Sequence, residues 1–439
     1  MDNNIIVGLD IGTTKIAAFI GQRTENGKVE ILGVGKTDST GVHRGEVRNI
    51  EEVAEAVKKA IREAESKAEV EVHEVYVGIA GHHIKGISRK NGFVRQHAEE
   101  LISKEDVEKL VNDQYGIMLS PGEQIIDIIV KDYIIDGEGG ITNPVGMQGA
   151  SLEANFHIVT GDVSNINRIY HSVEMAGYKI VKLILEPIAS AEAVVDKTEK
   201  EAGICLVDIG GGTTDIAIFY DGVIRHTAVI PLAGGIITSD IKEGCSIIQS
   251  QAEALKIQFG SCFPEQTRED EIIAVPGIRS QAPREISMKR LAGIIHARMQ
   301  LILEQVHYEI QNSNYGKKLI GGIVLTGGGS KIKHIIELTS FITGIDTRIG
   351  NPREHLTANS SEEYSHPMYA TGIGLVLKGL AHSETMSKEQ EKTGVKSQPE
   401  PEIEPMVEEA TETVENEHKQ NVWKKIKNMV SGVFNDPME

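Results

Sequence analysis

One stretch of this chain occurs twice. VGLDIGTTKIAAFIG (Val7 to Gly21) returns as CLVDIGGGTTDIAIFYDG (Cys205 to Gly222), with two extra glycines in the second turn. Each copy reads as an apolar strand, an Asp-Ile-Gly turn, a pair of threonines and a second apolar strand, the pattern of a β-hairpin closed by glycine. Such self-similarity restricts the fold more than composition does. It predicts two related α/β halves, each opening on the same hairpin. A length of 439 residues agrees, since it suggests roughly two to four domains.

Between the copies, EEVAEAVKKAIREAESKA (Glu51 to Ala68) carries apolar residues at helical spacing and leads into the strand-like VHEVYVGIAG. From about His83 to Thr160 the pattern becomes that of a small α+β insertion. Ser-Lys-Glu-Asp from Ser103 resembles a capping box, and the strand-like runs EQIIDIIVKDYIID and ASLEANFHIVTG flank an NPVG turn. Helical spacing returns in SNINRIYHSVEMAG and EPIASAEAVVD. A helix-rich stretch from Gly234 to Asn314, the strand and loop GGIVLTGGGSKI (Gly321 to Ile332) and the apolar YATGIGLVLKGL follow. From Ser383 to about Gln420 the chain turns to Glu, Pro, Lys, Ser and Thr, too polar to repay the entropy of ordering, and a disordered tether is expected.

The two hairpins and the glycine loop make chemical sense together as a nucleotide cleft. Glycine turns expose several backbone N–H groups in a concave nest for phosphate oxygens. The candidates are Gly12, Thr13, Thr14 and Lys15 in the first turn and Gly210, Gly211, Gly212, Thr213 and Thr214 in the second, the threonines adding hydroxyls and Lys15 a point charge. Asp10 and Asp208 end the strands that enter the turns, where they can hold Mg²⁺ through its waters. Gly327, Gly328, Gly329 and Lys331 form a loop suited to a nucleoside. Each glycine run alone also fits an ordinary tight turn. The chain has no GxxxxGK[ST] P-loop and no GxGxxG placed after a strand.

These motifs resemble, in order, the phosphate, connecting-helix and adenosine motifs of the actin, Hsp70 and sugar-kinase superfamily: DIGTTK, LVDIGGGTTD, LEPIASA, VLTGGGSKI and ATGIGLVL. GVHRGEV, NPVG, RHTAVIPLAGGIITSDI, AEALKIQFG and the insertion itself resemble the FtsA family of bacterial cell-division proteins within it. The resemblance implies a two-lobed actin-like α/β fold with duplicated ribonuclease-H-like halves. Subdomain 1A would comprise residues 1–82, 162–203 and 372–382, and the inserted subdomain 1C residues 83–161. Subdomain 2A would comprise 204–233 and 321–371, and 2B 234–320, followed by a linker over 383–420 and an amphipathic helix over 421–435.

The resemblance also implies that Gly234, Gly235, Glu253 and Lys256 approach ribose and adenine, and that ATP with Mg²⁺ is the cofactor. Glu186, before a proline, would stand where filament-forming relatives position an attacking water. Its residue type and place equally suit a helix start, so the chain is expected to be at most a weak ATPase. In SMKRLAGIIHARMQLIL, Lys289, Arg290 and Arg298 have near-helical spacing. They read as a solvated face or, following the family, as a dock for the acidic C-terminal peptide of the tubulin-like protein FtsZ. Further implied partners are copies of the chain itself and other division proteins. A metabolite or sugar kinase on the same fold is the alternative reading; an Hsp70-type chaperone would need a substrate domain for which there is no room.

The formal net charge of −19 argues against nucleic acid, whose binding needs a basic surface. No apolar run approaches the roughly 18 residues that span a bilayer, and MDNNIIVGLD lacks the basic start of a signal peptide. Cys205, Cys245 and Cys262 lack metal or redox spacing, which suits a reducing cytoplasm. His82 and His83 are expected to be ordinary surface histidines.

The stretch NVWKKIKNMVSGVF (Asn421 to Phe434) breaks the acidic character and holds the only tryptophan. At 100° per residue, Val422, Trp423, Ile426, Met429, Val430, Val433 and Phe434 share one face, while Lys424, Lys425 and Lys427 fill the other side and its edges. Such a helix lies in a membrane interface and favours anionic lipid. Docking on the protein's own body or on a partner is the alternative. The expected location is peripheral, on the cytoplasmic face of the membrane at the division septum.

Overall fold

The computed structural model describes residues 5–393 apart from 269, 278, 280 and 281. The expected amphipathic helix over 421–435 and nearly all of the expected linker lie outside the described residues.

The duplicated sequence has become a duplicated sheet. Ile5–Ile11 pairs antiparallel with Lys15–Arg23, matching Asp10 to Ala17 and Ile11 to Ile16. Val29–Asp38 extends the hairpin on one side, and Glu74–Ile79 and Lys179–Leu185 add in parallel on the other. The second half repeats the order. Ile204–Ile209 pairs antiparallel with Thr214–Tyr220, Val223–Ile230 extends the hairpin, and Ile323–Thr326 and Thr347–Ile349 add in parallel. Five strands in the same order, three antiparallel and two parallel, form each sheet.

Parallel neighbours need crossovers, and helices supply them. Ile50–Ala68 shows how the sequence builds one. Asn49 caps it through its side-chain oxygen, which accepts from the N–H groups of Glu51 and Glu52, and Glu69 ends it in the left-handed conformation at φ 54°. Its buried stripe Val53, Val57, Ala60, Ile61 and Ala64 lies on the first sheet, each fully buried valine or isoleucine contributing roughly 1.5 to 3 kcal/mol.

The insertion is a separate four-stranded antiparallel sheet, in the order Lys85–Val94, Ser151–Asp162, Glu123–Ile135, Glu138–Ile141. It has its own core, with Ile102, Leu110, Leu152, Phe156 and Ile158 buried together. The helix Lys104–Asn112 carries the expected capping box between Ser103 and Asp106. After the second hairpin come the helices Gly234–Cys245, Gln249–Phe259 and Met288–Asn312, with a short Ile272–Val275/Arg284–Ser287 hairpin between the last two.

Two helices join the halves, Glu186–Val194 and Ala370–Thr393. They cross where Gly374 lies against the backbone of Ala189, so close that a Cβ on Gly374 would overlap the Ala189 carbonyl oxygen. Around the crossing, Phe19, Ala191, Leu206, Ala217, Ile373 and Leu375 form a core drawn from both halves.

The last helix corrects one expectation. It runs to Thr393, about three turns beyond the anticipated break at Ser383. Glu, Lys, Gln and Met are good helix formers as well as polar residues, the segment contains no glycine or proline before Gly394, and Glu384 is tied to Arg23 on the first sheet at 2.7 Å. Among the described residues no helix is long and apolar enough to cross a membrane.

Candidate nucleotide site

The two glycine turns close in the same way and face each other. Gly12 N–H donates to Lys15 O at 3.0 Å and Gly210 N–H to Thr213 O at 2.9 Å. Across the gap, Gly211 lies against the side chain of Thr14 and Gly212 against that of Thr13, so closely that a Cβ on either glycine would collide. The glycines of the second turn are therefore required by contact with the first. Thr13 Oγ1 also accepts from Gly45 N–H at 2.9 Å.

Four carboxylates gather behind the turns. Asp10 and Asp208 occupy equivalent ends of the two first strands, both buried. Asp215 is the second residue of the strand after the second turn, and Glu186 heads the first connecting helix, its side chain over Gly78. Burial holds the Asp10 carboxyl up at about 6, with Lys15 pulling it down and Asp208 pushing it up. Burial and then the charge of Asp208 raise Asp215 to about 7. Glu186 is raised well above the carboxylate range by burial and by Asp10, Asp215 and Asp208. Asp208 is raised by burial, against the hydroxyls that serve it: Ser190 Oγ donates at 2.6 Å and Thr371 Oγ1 at 3.3 Å. Asp215 Oδ2 accepts from Thr213 Oγ1 at 2.8 Å, while its Oδ1 is buried without a partner.

Lys15 is the cation whose charge lowers both Asp10 and Asp208. Its Nζ donates to Met368 O at 2.6 Å and stands 5.1 Å from the centre of the Tyr369 ring. Four raised carboxyls with one lysine turned to a carbonyl form a site short of positive charge, and an unpartnered carboxylate oxygen within it fits a cationic guest. Among the described residues no three His, Cys, Asp or Glu side chains are placed to hold a metal directly. A magnesium ion carried on phosphate and its own waters suits this donor set better than a bare ion.

These raised values fix a sign. Asp215 releases its proton near 3.8 when unfolded and near 7 when folded, so between those values the folded chain binds more protons and stability falls as pH rises. Asp215→Asn is expected to stabilise the nucleotide-free protein at pH 8 by on the order of 2 to 4 kcal/mol and by far less at pH 4. Equal thermal shifts at the two pH values would contradict this.

The second turn also anchors the neighbouring elements. Gly234 N–H donates to Gly210 O at 3.0 Å and Gly235 N–H to Gly211 O at 2.7 Å. Lys256 Nζ bonds Gly234 O at 2.9 Å, Thr238 Oγ1 at 2.8 Å and Glu253 Oε2 at 2.8 Å, and Thr238 Oγ1 donates to Glu253. The loop Gly328–Lys331 follows Gly327, which has φ 81° and packs on the Asp208 carboxylate; Gly329 packs on Ile209, Gly328 faces open space and Lys331 is exposed. Residues from four separated segments thus meet at Asp208–Thr213.

Other candidates lie differently. Thr214 is fully buried and its hydroxyl donates to Leu232 O at 2.7 Å, away from the turns' shared face. Arg298 forks onto Asp240 at 2.6 and 3.1 Å, and Arg290 donates to Gly244 O at 2.6 Å, so both arginines hold the Gly234–Cys245 helix; Lys289 beside them is exposed. His83 is buried, which corrects the surface expectation for it, and burial lowers its pKa. His82 is exposed and bonds Glu46 at 3.0 Å. All three cysteines are buried free thiols. Asp215, Ser190, Thr371 and Thr238 were not singled out in the sequence. Asp215 had a visible signal, since it ends a motif whose first copy has lysine there, whereas the other three are ordinary helix residues until the fold brings them together.

Comparison with known proteins gives two family matches: "Cell division protein FtsA" over residues 205–374 and "SHS2 domain inserted in FTSA" over residues 81–160. Cell division protein FtsA of Pseudomonas aeruginosa is 38% identical over 376 residues, covering 86% of this chain and 89% of that protein. FtsA of Escherichia coli K12 is 35% identical over 386 residues, covering 86% and 91%. Among solved structures, the PilM–PilN type IV pilus biogenesis complex aligns with a TM-score of 0.62 at 15% identity, covering 85% of this chain and 98% of the other. MreB5 of Spiroplasma citri bound to ADP aligns at 0.50 and 17%, covering 89% and 99%. At such identities these structures speak for the fold alone, which is the two-lobed actin-like fold with an SHS2 insertion.

Proposed function

The chain belongs to the FtsA family of cell division proteins, and from that premise we propose that it binds MgATP between its two glycine hairpins and holds FtsZ filaments at the cytoplasmic membrane. The observation that carries the reading is the facing pair of turns, Gly211 on Thr14 and Gly212 on Thr13, above the buried Asp10 and Asp208. Backbone N–H groups of both turns, with Thr13, Thr14 and Thr213, would hold phosphate oxygens, and Asp10 and Asp208 would orient the waters of the magnesium ion. Lys15 would leave Met368 for the phosphates. Gly234, Gly235, Glu253 and Lys256 would flank the ribose, and Gly327–Lys331 the base. The ADP named with the MreB5 structure supports a nucleotide here.

The halves then serve as subdomains 1A and 2A, the insertion as 1C and the helical stretch after the second hairpin as 2B. Glu186 is the residue best placed to position water near a terminal phosphate. With its carboxyl raised well above the usual range by burial and three neighbouring carboxyls, it is a poor base at neutral pH, which favours slow turnover at most. A metabolite-kinase reading has no observation in its favour.

The tail over 421–435 would anchor the chain peripherally at the septum, and self-assembly would multiply weak anchors. The surface of Lys289, Arg290 and Arg298 would receive the acidic FtsZ peptide. Lys289→Glu is expected to weaken that peptide by about fivefold to tenfold, the loss of one charge-assisted contact; an unchanged affinity would move the dock elsewhere. For the function as a whole, FtsZ filaments should sediment with anionic vesicles only when the full chain is present. Filaments left in the supernatant would overturn the proposal.

A further inference from the structure

GVHRGEV folds into a two-residue hairpin, Val42–His43 against Glu46–Val47. Its central residues are Arg44 and Gly45, at φ 51° and 78°. Two positive φ values are the requirement of the tight turn that suits twisted strands, and asparagine or glycine usually fills its first position. An arginine there is held in a conformation that its Cβ disfavours. The turn lies on the phosphate-loop pair. Gly45 N–H donates to Thr13 Oγ1 at 2.9 Å, and a Cβ on Gly212 would stand 2.9 Å from the Arg44 Cα. Arg44 is exposed, and no carboxylate pairs with it among the described residues.

We propose that Arg44 contacts the terminal phosphate of a bound nucleoside triphosphate and makes the site prefer triphosphate over diphosphate. The inference rests on the nucleotide reading above. Direction comes from the second turn, whose glycines meet successive partners: Gly210 meets Gly234, Gly211 meets Gly235, and Gly212 meets Arg44. Gly234 adjoins the Lys256 and Glu253 group on the nucleoside side, so Arg44 stands at the end of the turn farthest along from the nucleoside. A guanidinium rooted there can reach both turns, and its planar fork matches phosphate oxygens with two donors at once.

The same hairpin also touches the base of the insertion. A Cβ on Gly45 would stand 3.0 Å from the Gly81 Cα, and one on Gly81 would stand 2.8 Å from the His83 ring. Glu46, buried, accepts from Arg48 at 2.7 Å and His82 at 3.0 Å, and Arg168 donates to Val47 O at 3.0 Å. The hairpin that carries Arg44 therefore also packs on the residues that lead directly into the first insertion strand, Lys85–Val94.

The test is calorimetric titration of the full chain with ATP and with ADP, each with magnesium. Arg44→Gly suits the positive φ, so the hairpin keeps its shape while the guanidinium is lost. It should weaken ATP by about tenfold or more and ADP by less than about threefold, with Arg44→Lys between Arg44→Gly and the unmodified chain. ATP affinity unchanged in Arg44→Gly, or equal losses for both nucleotides, would overturn the inference and leave the nucleotide reading intact. An unmodified chain that bound neither nucleotide would overturn both.

Discussion

Removing residues 421–439 is expected to reduce sedimentation with anionic vesicles to the background of a protein without lipid affinity, while nucleotide binding is unchanged. The sequence puts seven apolar residues, Val422, Trp423, Ile426, Met429, Val430, Val433 and Phe434, on one helical face with Lys424, Lys425 and Lys427 beside them. Partial burial of that face contributes on the order of 7 to 10 kcal/mol, and each lysine about 1 kcal/mol at an anionic surface. Ordering about a dozen residues costs a comparable amount. A single tail is therefore reversible, and the intact chain should lose its vesicles in high salt. Trp423, as the only tryptophan, reports the same event by a blue-shifted emission on vesicles. Truncated protein that still sedimented with vesicles would place lipid binding elsewhere in the chain.

Gly374→Ala should have the largest effect on the folded body. The two connecting helices cross with Gly374 against Ala189 backbone, and the added methyl would overlap a carbonyl oxygen that belongs to a helix and cannot rotate away. Separating the helices would open the core shared by the halves, with Phe19, Ile373 and Leu375 losing contact. A cost of about 3 kcal/mol or more is expected, seen as a lower denaturation midpoint. Because both helices begin at the site, Glu186 heading one and Thr371 lying in the first turn of the other, nucleotide affinity should fall with stability. An unchanged midpoint would show that the crossing tolerates a methyl.

How much of this was legible in the sequence depended on whether a residue acts locally. The hairpins, the Ser103 capping box and the Ile50–Ala68 helix are set by turn chemistry and periodicity within a few residues, and the sequence showed them. The repeat implied that Asp10 and Asp208 are equivalent, and the matched strand order made them so. Ser190 and Thr371 were opaque because their role exists only where two helices, distant in the chain, bring hydroxyls to one carboxylate. Arg298 was partly opaque for a related reason: its helical spacing is visible in the sequence, but Asp240 lies within reach only in the folded protein. The last helix overran its expected end because polar composition separates buried from exposed segments better than helix from coil.

The central claim is that the magnesium ion of a bound nucleotide supplies the positive charge missing from the carboxylate cluster between the duplicated turns. Titration of the full chain with ATP, with magnesium and with a chelator, tests it most directly when Asp208→Ala is titrated alongside. The account predicts binding that depends strongly on magnesium and an Asp208→Ala protein in which that dependence is largely lost. Binding of ATP by Asp208→Ala with the full magnesium dependence of the unmodified chain would contradict it.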